Sequence, residues 1–358
     1  MKRIILTGGG SAGHVTPNIA LIPKLKELNY DIHYIGSHYG IEKKLIEDFD
    51  IPYYGISTGK LRRYFDLKNF SDPFRVMKGY TDAKKIMKVI KPDVIFSKGG
   101  FVSVPVVRAA SACNIPCIIH ESDMTPGLAN KLCIPVASKI CCNFPETLKD
   151  LPEEKAVLTG SPIREELAKG DADAAYRLCG FTKNKPVILV IGGSLGAASV
   201  NKLLRESLNE ILKDFQIVHI CGKEKVDNLL LTKQGYKQFE YVKHELKDLF
   251  AMADLVISRA GANAICELLA LKKANLLIPL CNGSRGDQIL NAASFESQGF
   301  SMVLQEDDIT TSLLVDSIHE LFFTRQAYID AMTKSTQHDS IQTITDLIEE
   351  IAFPDTNS

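Results

Sequence analysis

Twice in this chain an apolar run of strand character ends in a cluster of glycines and gives way to an amphipathic helical pattern. The first instance is Ile4-Ile5-Leu6-Thr7, then Gly8-Gly9-Gly10-Ser11-Ala12-Gly13-His14, then a segment whose apolar side carries Ala20, Leu21, Leu25 and Leu28. The second is the run 186–191, followed by Gly192-Gly193-Ser194-Leu195-Gly196-Ala197 and a helical pattern from about Ser199. A strand–glycine–helix junction aims backbone N–H groups and a helix N-terminus at one point, which suits a phosphate or another anion. The first junction even spells Gly8-x-Gly10-x-x-Gly13, the dinucleotide-binding fingerprint, although those letters alone are weak evidence. Two such junctions in tandem point to two nucleotide-type halves.

The rest of the chain keeps the same alternation. Further strand-like runs fall at 31–36, 52–56, 93–97, 116–120 and 139–142, and in the second half at 217–221, 239–242, 254–258, 274–279 and 301–304. Apolar strands separated by helical patterns imply an α/β fold with doubly wound parallel sheets, which bind ligands at the carboxyl ends of their strands. The expected division is 1–160 and 161–335, with the junction at 160–166 after the polar stretch 151–155. The tail 327–351 reads as one helical element, and 336–358 is expected to pack back on the first half.

With 358 residues, 45% of them hydrophobic, the chain can fill two cores. A net charge of −1 gives no reason to expect nucleic acid. The halves differ, however. Residues 1–162 carry 22 Lys and Arg against 16 Asp and Glu, and the remainder 20 against 27. A basic first half suits an anionic partner such as a phospholipid surface. Nine cysteines without a C-x-x-C pair read as reduced thiols, neither a disulfide framework nor a zinc site. Met1-Lys2-Arg3 precedes only three strongly apolar residues, so no signal peptide is expected. No apolar run approaches the roughly 18 residues of a membrane span. Contact with a membrane would be made at its surface.

A dehydrogenase needs a carboxylate closing its second strand to hold the ribose. Here that strand ends Tyr34-Ile35-Gly36-Ser37-His38, with no acid before Glu42, so the nicotinamide reading loses its second element. His14, beside the anion the glycines would receive, is either a general base or a cap on the turn. Lys98-Gly99-Gly100-Phe101-Val102-Ser103 and His120-Glu121-Ser122-Asp123 also close strands of the first half. Glu121 suits a base, a sugar-hydroxyl ligand or a helix cap, and Asp123 a cap for a helix starting near Thr125. In the second half, Ser258 to Glu267 joins a strand to a helix through small residues. Gly283 to Asn291 does the same with Gln288 and Asn291 on one helical face.

In this order, G-G-G-S-A-G-H with Thr16-Pro17, K-G-G-F-V-S, H-E-S-D with G-L-A-N-K, G-S-P-I-R, G-G-S-L-G-A, S-R-A-G-A-x-x-x-x-E and D-Q-x-x-N-A resemble the MurG family of bacterial glycosyltransferases. The resemblance runs from about Ile4 to beyond Asn291. It implies a GT-B fold, two Rossmann-like halves with the active site in the cleft between them. It also implies inverting transfer of N-acetylglucosamine from UDP-N-acetylglucosamine to the C4 hydroxyl of undecaprenyl-pyrophosphoryl-N-acetylmuramoyl-pentapeptide, in peptidoglycan synthesis. Matched by position, the donor site would comprise Arg164, Ser194, Val242, Ala262, Asn263, Ala264, Ile265, Cys266, Glu267 and Gln288, with Glu267 on the ribose. Ser11, Ala12 and Gly13 would reach the donor from the first half. Gly99, Gly100 and Asn130 fall on the acceptor side, with His14 first and Glu121 second as the base.

Four positions depart from the family: Ser11-Ala12 replaces a commoner Thr-Gly, Asp123 an Asn, and Phe101 a Tyr. A carboxylate at Asp123 would repel the donor diphosphate. No cofactor is implied, and no D-x-D metal motif follows a strand at the glycine regions. The stretches 59–65 and 74–80, with Lys84, Lys85 and Lys88, mix cations and apolar residues as a peripheral protein on the cytoplasmic face of the membrane would. Rival readings are a UDP-sugar 2-epimerase, a diacylglycerol glycosyltransferase and a non-catalytic nucleotide-binding module.

Overall fold

Strands covered on both faces must be apolar along their whole length, and the runs of this sequence assemble accordingly into two parallel sheets. The computed structural model describes residues 2–59, 72–192, 196–281 and 286–354. Ser194, most of the stretch 59–65 and residues 283–285 lie outside the described residues. The chain divides into two compact units, Met1–Arg164 with Asp339–Ser358, and Glu165–His338.

The first unit runs β1 (Lys2–Thr7), α1 (Thr16–Glu27), β2 (Tyr30–Ser37), α2 (Ile41–Ile46), β3 (Tyr53–Ile56), α3 (Asp72–Ile90), β4 (Val94–Ser97), α4 (Ser103–Ser111), β5 (Cys117–Glu121), α5 (Leu128–Cys133), β6 (Lys139–Cys142) and β7 (Ala156–Leu158). Its sheet order is β3-β2-β1-β4-β5-β6-β7. Every pairing is parallel, with Thr7 opposite Ser97 in the β1–β4 register. Alternate side chains leave opposite faces of a strand. Ile5 therefore joins Met87, Ile95 and Val106 on one side, and Ile4 and Leu6 join Leu21, Leu25 and Tyr34 on the other.

The second unit repeats the design with α6 (Ala172–Cys179), β8 (Val187–Ile191), α7 (Ala198–Ile211), β9 (Gln216–Ile220), β10 (Tyr236–Phe239), α8 (Leu246–Met252), β11 (Leu255–Ser258), α9 (Ala262–Ala270), β12 (Asn275–Leu277), α10 (Asp287–Ser297), β13 (Met302–Val303) and α11 (Thr311–Lys334). The order is β10-β9-β8-β11-β12-β13, again all parallel. Both sheets thus share the 3-2-1-4-5 strand order, whose winding reverses between the first strand and the fourth. Ligands of doubly wound sheets settle at that reversal. It lies between β1 and β4 in one unit and between β8 and β11 in the other.

The structure corrects four expectations. The seventh strand, β7, follows directly on the polar stretch 151–155, where no strand is expected; it has only three residues, all half-buried at the sheet edge. Strand β10 lies three residues earlier than 239–242, because Gly235 turns at φ 76° and brings Tyr236 into register with Ile217. The tail is two helices, since α11 ends at Lys334 and α12 (Ser340–Ala352) follows a separate turn. The helix expected near Thr125 starts at Leu128 with Gly127 as its N-cap, so Asp123 does not cap it. Among the described residues, no helix is long and apolar enough to cross a membrane.

Candidate active site

At the reversal of the first sheet the two glycine turns touch. The Lys98 N–H donates to the Thr7 carbonyl (2.9 Å), which sets the turns side by side. A Cβ on Gly100, whose φ is 81°, would lie 2.2 Å from the Gly9 carbonyl oxygen, so only glycine permits this approach. Behind the turns sits Glu42, the first carboxylate after β2, on the opening turn of α2. It is fully buried. Its Oε2 accepts from the Gly10 N–H (3.2 Å), and its Oε1 from the N–H (2.9 Å) and hydroxyl (2.5 Å) of Ser37. The acid that a nicotinamide enzyme turns outward to a ribose is here turned inward, onto the backbone of the second fingerprint glycine. That geometry closes the dehydrogenase reading of the first turn.

His14 ends a short 3-10 turn (Ala12–His14) just before α1, and its Nδ1 lies 2.8 Å from Ser11 Oγ. Burial, and then the Lys98 ammonium, lower its pKa from 6.5 to about 4, against the opposing pull of Glu42. The imidazole is therefore neutral at pH 7. Lys98 itself is buried, with Nζ 2.7 Å from His120 Nδ1 and 3.3 Å from Ser161 Oγ. Since the ammonium can only donate, His120 accepts at Nδ1 and gives its Nε2 proton to the Gly160 carbonyl (2.8 Å). Burial and Lys98 hold His120 far below the usual histidine range. A buried cation thus underlies both turns.

Glu121 ends β5 and is buried, with four N–H donors around its carboxylate. Ser122 and Asp123 donate to Oε1 (2.9 and 3.1 Å), Gly127 and Asn130 Nδ2 to Oε2 (both 2.8 Å). It organises the 122–127 loop. Asn130 donates from the same amide to the His120 carbonyl (3.2 Å). Its buried Oδ1 has no hydrogen-bond partner among the described residues and lies beside Gly99. An acceptor without a partner at the mouth of a glycine turn is placed for a ligand hydroxyl.

The second unit builds its site from α9, α10 and the strand ends before them. Gly261 is the N-cap of α9, no side chain caps the helix, and the space a Gly261 side chain would take is open. The first-turn N–H groups after Gly261 can therefore meet an anion, aided by the helix dipole. Glu267 is half-buried one turn further on. The side chains of Ile265 and Cys266 are buried, and the Ile265 N–H donates to the Gly261 carbonyl. Val242 is likewise buried. Gln288 Oε1 accepts from the Leu280 N–H (3.0 Å), and Asn291 Nδ2 donates to the Ala260 carbonyl (3.2 Å), so α10 braces the loops after β12 and β11.

Arg259, quoted in the sequence motif but given no role there, is the hub of this region. It donates to the Ile278 and Pro279 carbonyls (3.0 and 3.2 Å), to Ser199 Oγ (2.9 Å) and to Glu306 (2.5 Å). Burial pushes the Glu306 carboxyl up, but the hydrogen bonds from Arg259 and Ser199 prevail and leave it below the usual range. Four segments meet on one guanidinium. Arg164, the last residue of the first unit, is half-buried, and Ser11 and Ala12 are exposed.

Sequence profiles of the glycosyltransferase family 28 N-terminal and C-terminal domains match residues 4–142 and 187–351. The chain belongs to glycosyltransferase family 28. A protein of Lachnospira eligens, named UDP-N-acetylglucosamine--N-acetylmuramyl-(pentapeptide) pyrophosphoryl-undecaprenol N-acetylglucosamine transferase, is 64% identical across 98% of this chain and 99% of its own. A protein of the same name from Lachnoclostridium phytofermentans is 61% identical over the same shares. The crystal structure of Acinetobacter baumannii MurG superposes with a TM-score of 0.77 at 26% identity, covering 98% of this family 28 chain and all of that one. The GT-B architecture expected from the motifs is thus the observed one.

Proposed function

We propose that this protein transfers N-acetylglucosamine from UDP-N-acetylglucosamine to the C4 hydroxyl of undecaprenyl-pyrophosphoryl-N-acetylmuramoyl-pentapeptide, making the lipid-linked disaccharide of peptidoglycan. The observation that carries this reading is identity of 64% and 61%, over 98% of the chain, to two proteins bearing that name. The donor diphosphate lies against the N-terminus of α9, with Glu267 on the ribose and Gln288 and Arg164 at the rim. The glycine turns of the first unit receive the acceptor, and Asn130 Oδ1 accepts one of its hydroxyls.

His14 acts as the base. With Nδ1–H donating to Ser11, the lone pair on Nε2 takes the C4 hydroxyl proton as that oxygen attacks the anomeric carbon. The bond from C1 to the UDP oxygen breaks, UDP leaves with the electron pair, and the configuration inverts. The α9 N–H groups stabilise charge growing on the departing phosphate. Glu121, its oxygens filled by four donors, serves as a positioning residue for the acceptor loop. Incubated with both substrates, the protein should release UDP and form the lipid-linked disaccharide; UDP-sugar isomers without an acceptor would mean an epimerase instead.

The acceptor's tail implies work at a membrane. Phe74, Met77 and Val89 are exposed on α3 among Arg75, Lys78, Lys85 and Lys88, a face suited to an anionic leaflet on the cytoplasmic side. Co-sedimentation with vesicles should rise with anionic lipid content and fall with salt. Binding indifferent to lipid charge would contradict the electrostatic part.

A further inference from the structure

Three helices of the first unit each turn an apolar stripe toward one groove. Met77 and Tyr80 come from α3, Val104 and Arg108 from α4 with Phe101 in the turn before it, and Ala129 and Leu132 from α5. Positions three or four apart share a helix face. The groove encloses about 750 Å³, and its only charged lining residue, among the described residues, is the cation Arg108. That volume is ordinary for a small-molecule site and large for an accidental gap.

Phe101 fixes what lies at one end. It follows Gly99-Gly100 directly, and a Cβ on Gly10 would fall 2.5 Å from its ring. The aromatic ring therefore stands at once against both glycine turns and in the wall of the groove. A ligand with its anionic diphosphate at the turns has an apolar trough leading away along α4, with no carboxylate among the described lining residues. A surface that dips into a leaflet presents a convex apolar face, whereas this one is concave.

We propose that the groove is a subsite for the first isoprenoid units of the acceptor's prenyl chain. This rests on the reading above, in which the acceptor is a prenyl-diphosphate-linked sugar. The protein would then read the lipid directly and draw the first units of the chain out of the bilayer, in addition to resting on it.

The test uses two soluble acceptors without vesicles or detergent, one with a ten-carbon prenyl chain below its micelle concentration and one with a methyl group in its place. Wild type should favour the prenyl acceptor in kcat/KM by at least about tenfold, what burial of a few methylene groups is worth. Ala129→Trp, which fills the groove, and Met77→Glu, which puts a carboxylate on its rim, should each erase most of that ratio. An unchanged ratio in both folded variants would overturn the subsite, as would a preference that emerges only when vesicles are added. Transfer to neither acceptor by wild type would instead strike the proposed function itself.

Discussion

Replacing His14 with alanine should lower kcat by about 100-fold to 10,000-fold, the range of a positioned general base, while the KM for UDP-N-acetylglucosamine changes little. The reason is local. Burial and Lys98 keep the imidazole neutral, with a pKa of about 4, so at pH 7 it can accept a proton without first losing one. The sign of the pH dependence follows. As pH falls through about 4 the free enzyme's imidazole protonates and kcat/KM drops with it. On the proposed reading the acceptor diphosphate lies at the glycine turns beside His14, and anions favour imidazolium. The acid limb of kcat should therefore lie at higher pH than that of kcat/KM. Steady-state rates of wild type and His14→Ala from pH 4 to 9 check both statements. Turnover that barely changes on substitution would remove His14 as the base.

Arg259→Met should destabilise the second unit by about 3 kcal/mol, lowering its melting temperature by about 6–12 °C. It should also raise the KM for UDP-N-acetylglucosamine more than it lowers kcat. The guanidinium ties the ends of β11 and β12 to the start of α7 and to Glu306. Without it, a largely buried carboxylate loses its cation and keeps only the Ser199 hydroxyl and the Cys281 N–H, two carbonyls lose their donor, and the loop leading into α9 loses its anchor. Removing one partner of a buried pair costs more than the pair itself contributes. Calorimetry with and without UDP would follow both effects. A melting temperature within a degree of wild type would show that the network is incidental.

Much of this architecture is legible in the sequence, for a specific reason. Strands such as β1, β4, β8 and β11 are buried on both faces and read as unbroken apolar runs ending in glycines. The misplaced elements are those where that signal fails. Strands β7 and β10 lie at sheet edges, are three or four residues long and keep all (β7) or half (β10) of their residues partly exposed. The same holds at the sites. Helix α9 is announced by its small residues, but periodicity alone does not say that Ile265 and Cys266 turn into the core. Glu42, Lys98 and Arg259 do their work by facing inward, toward backbone that only folding brings near. A carboxylate one helical turn past β2 looks like surface until the Gly10 N–H is found pointing at it.

The last helix of the chain belongs to the first unit. Ile344 and Ile348 of α12 are fully buried with Leu6, Leu21 and Tyr34, and the Tyr30 hydroxyl donates to Glu349 (2.5 Å). The whole of the second unit is therefore spliced, topologically, into a fold that began before it. During synthesis all seven strands of the first sheet leave the ribosome before the helix that closes one side of their core. The half of the molecule made first is the half completed last.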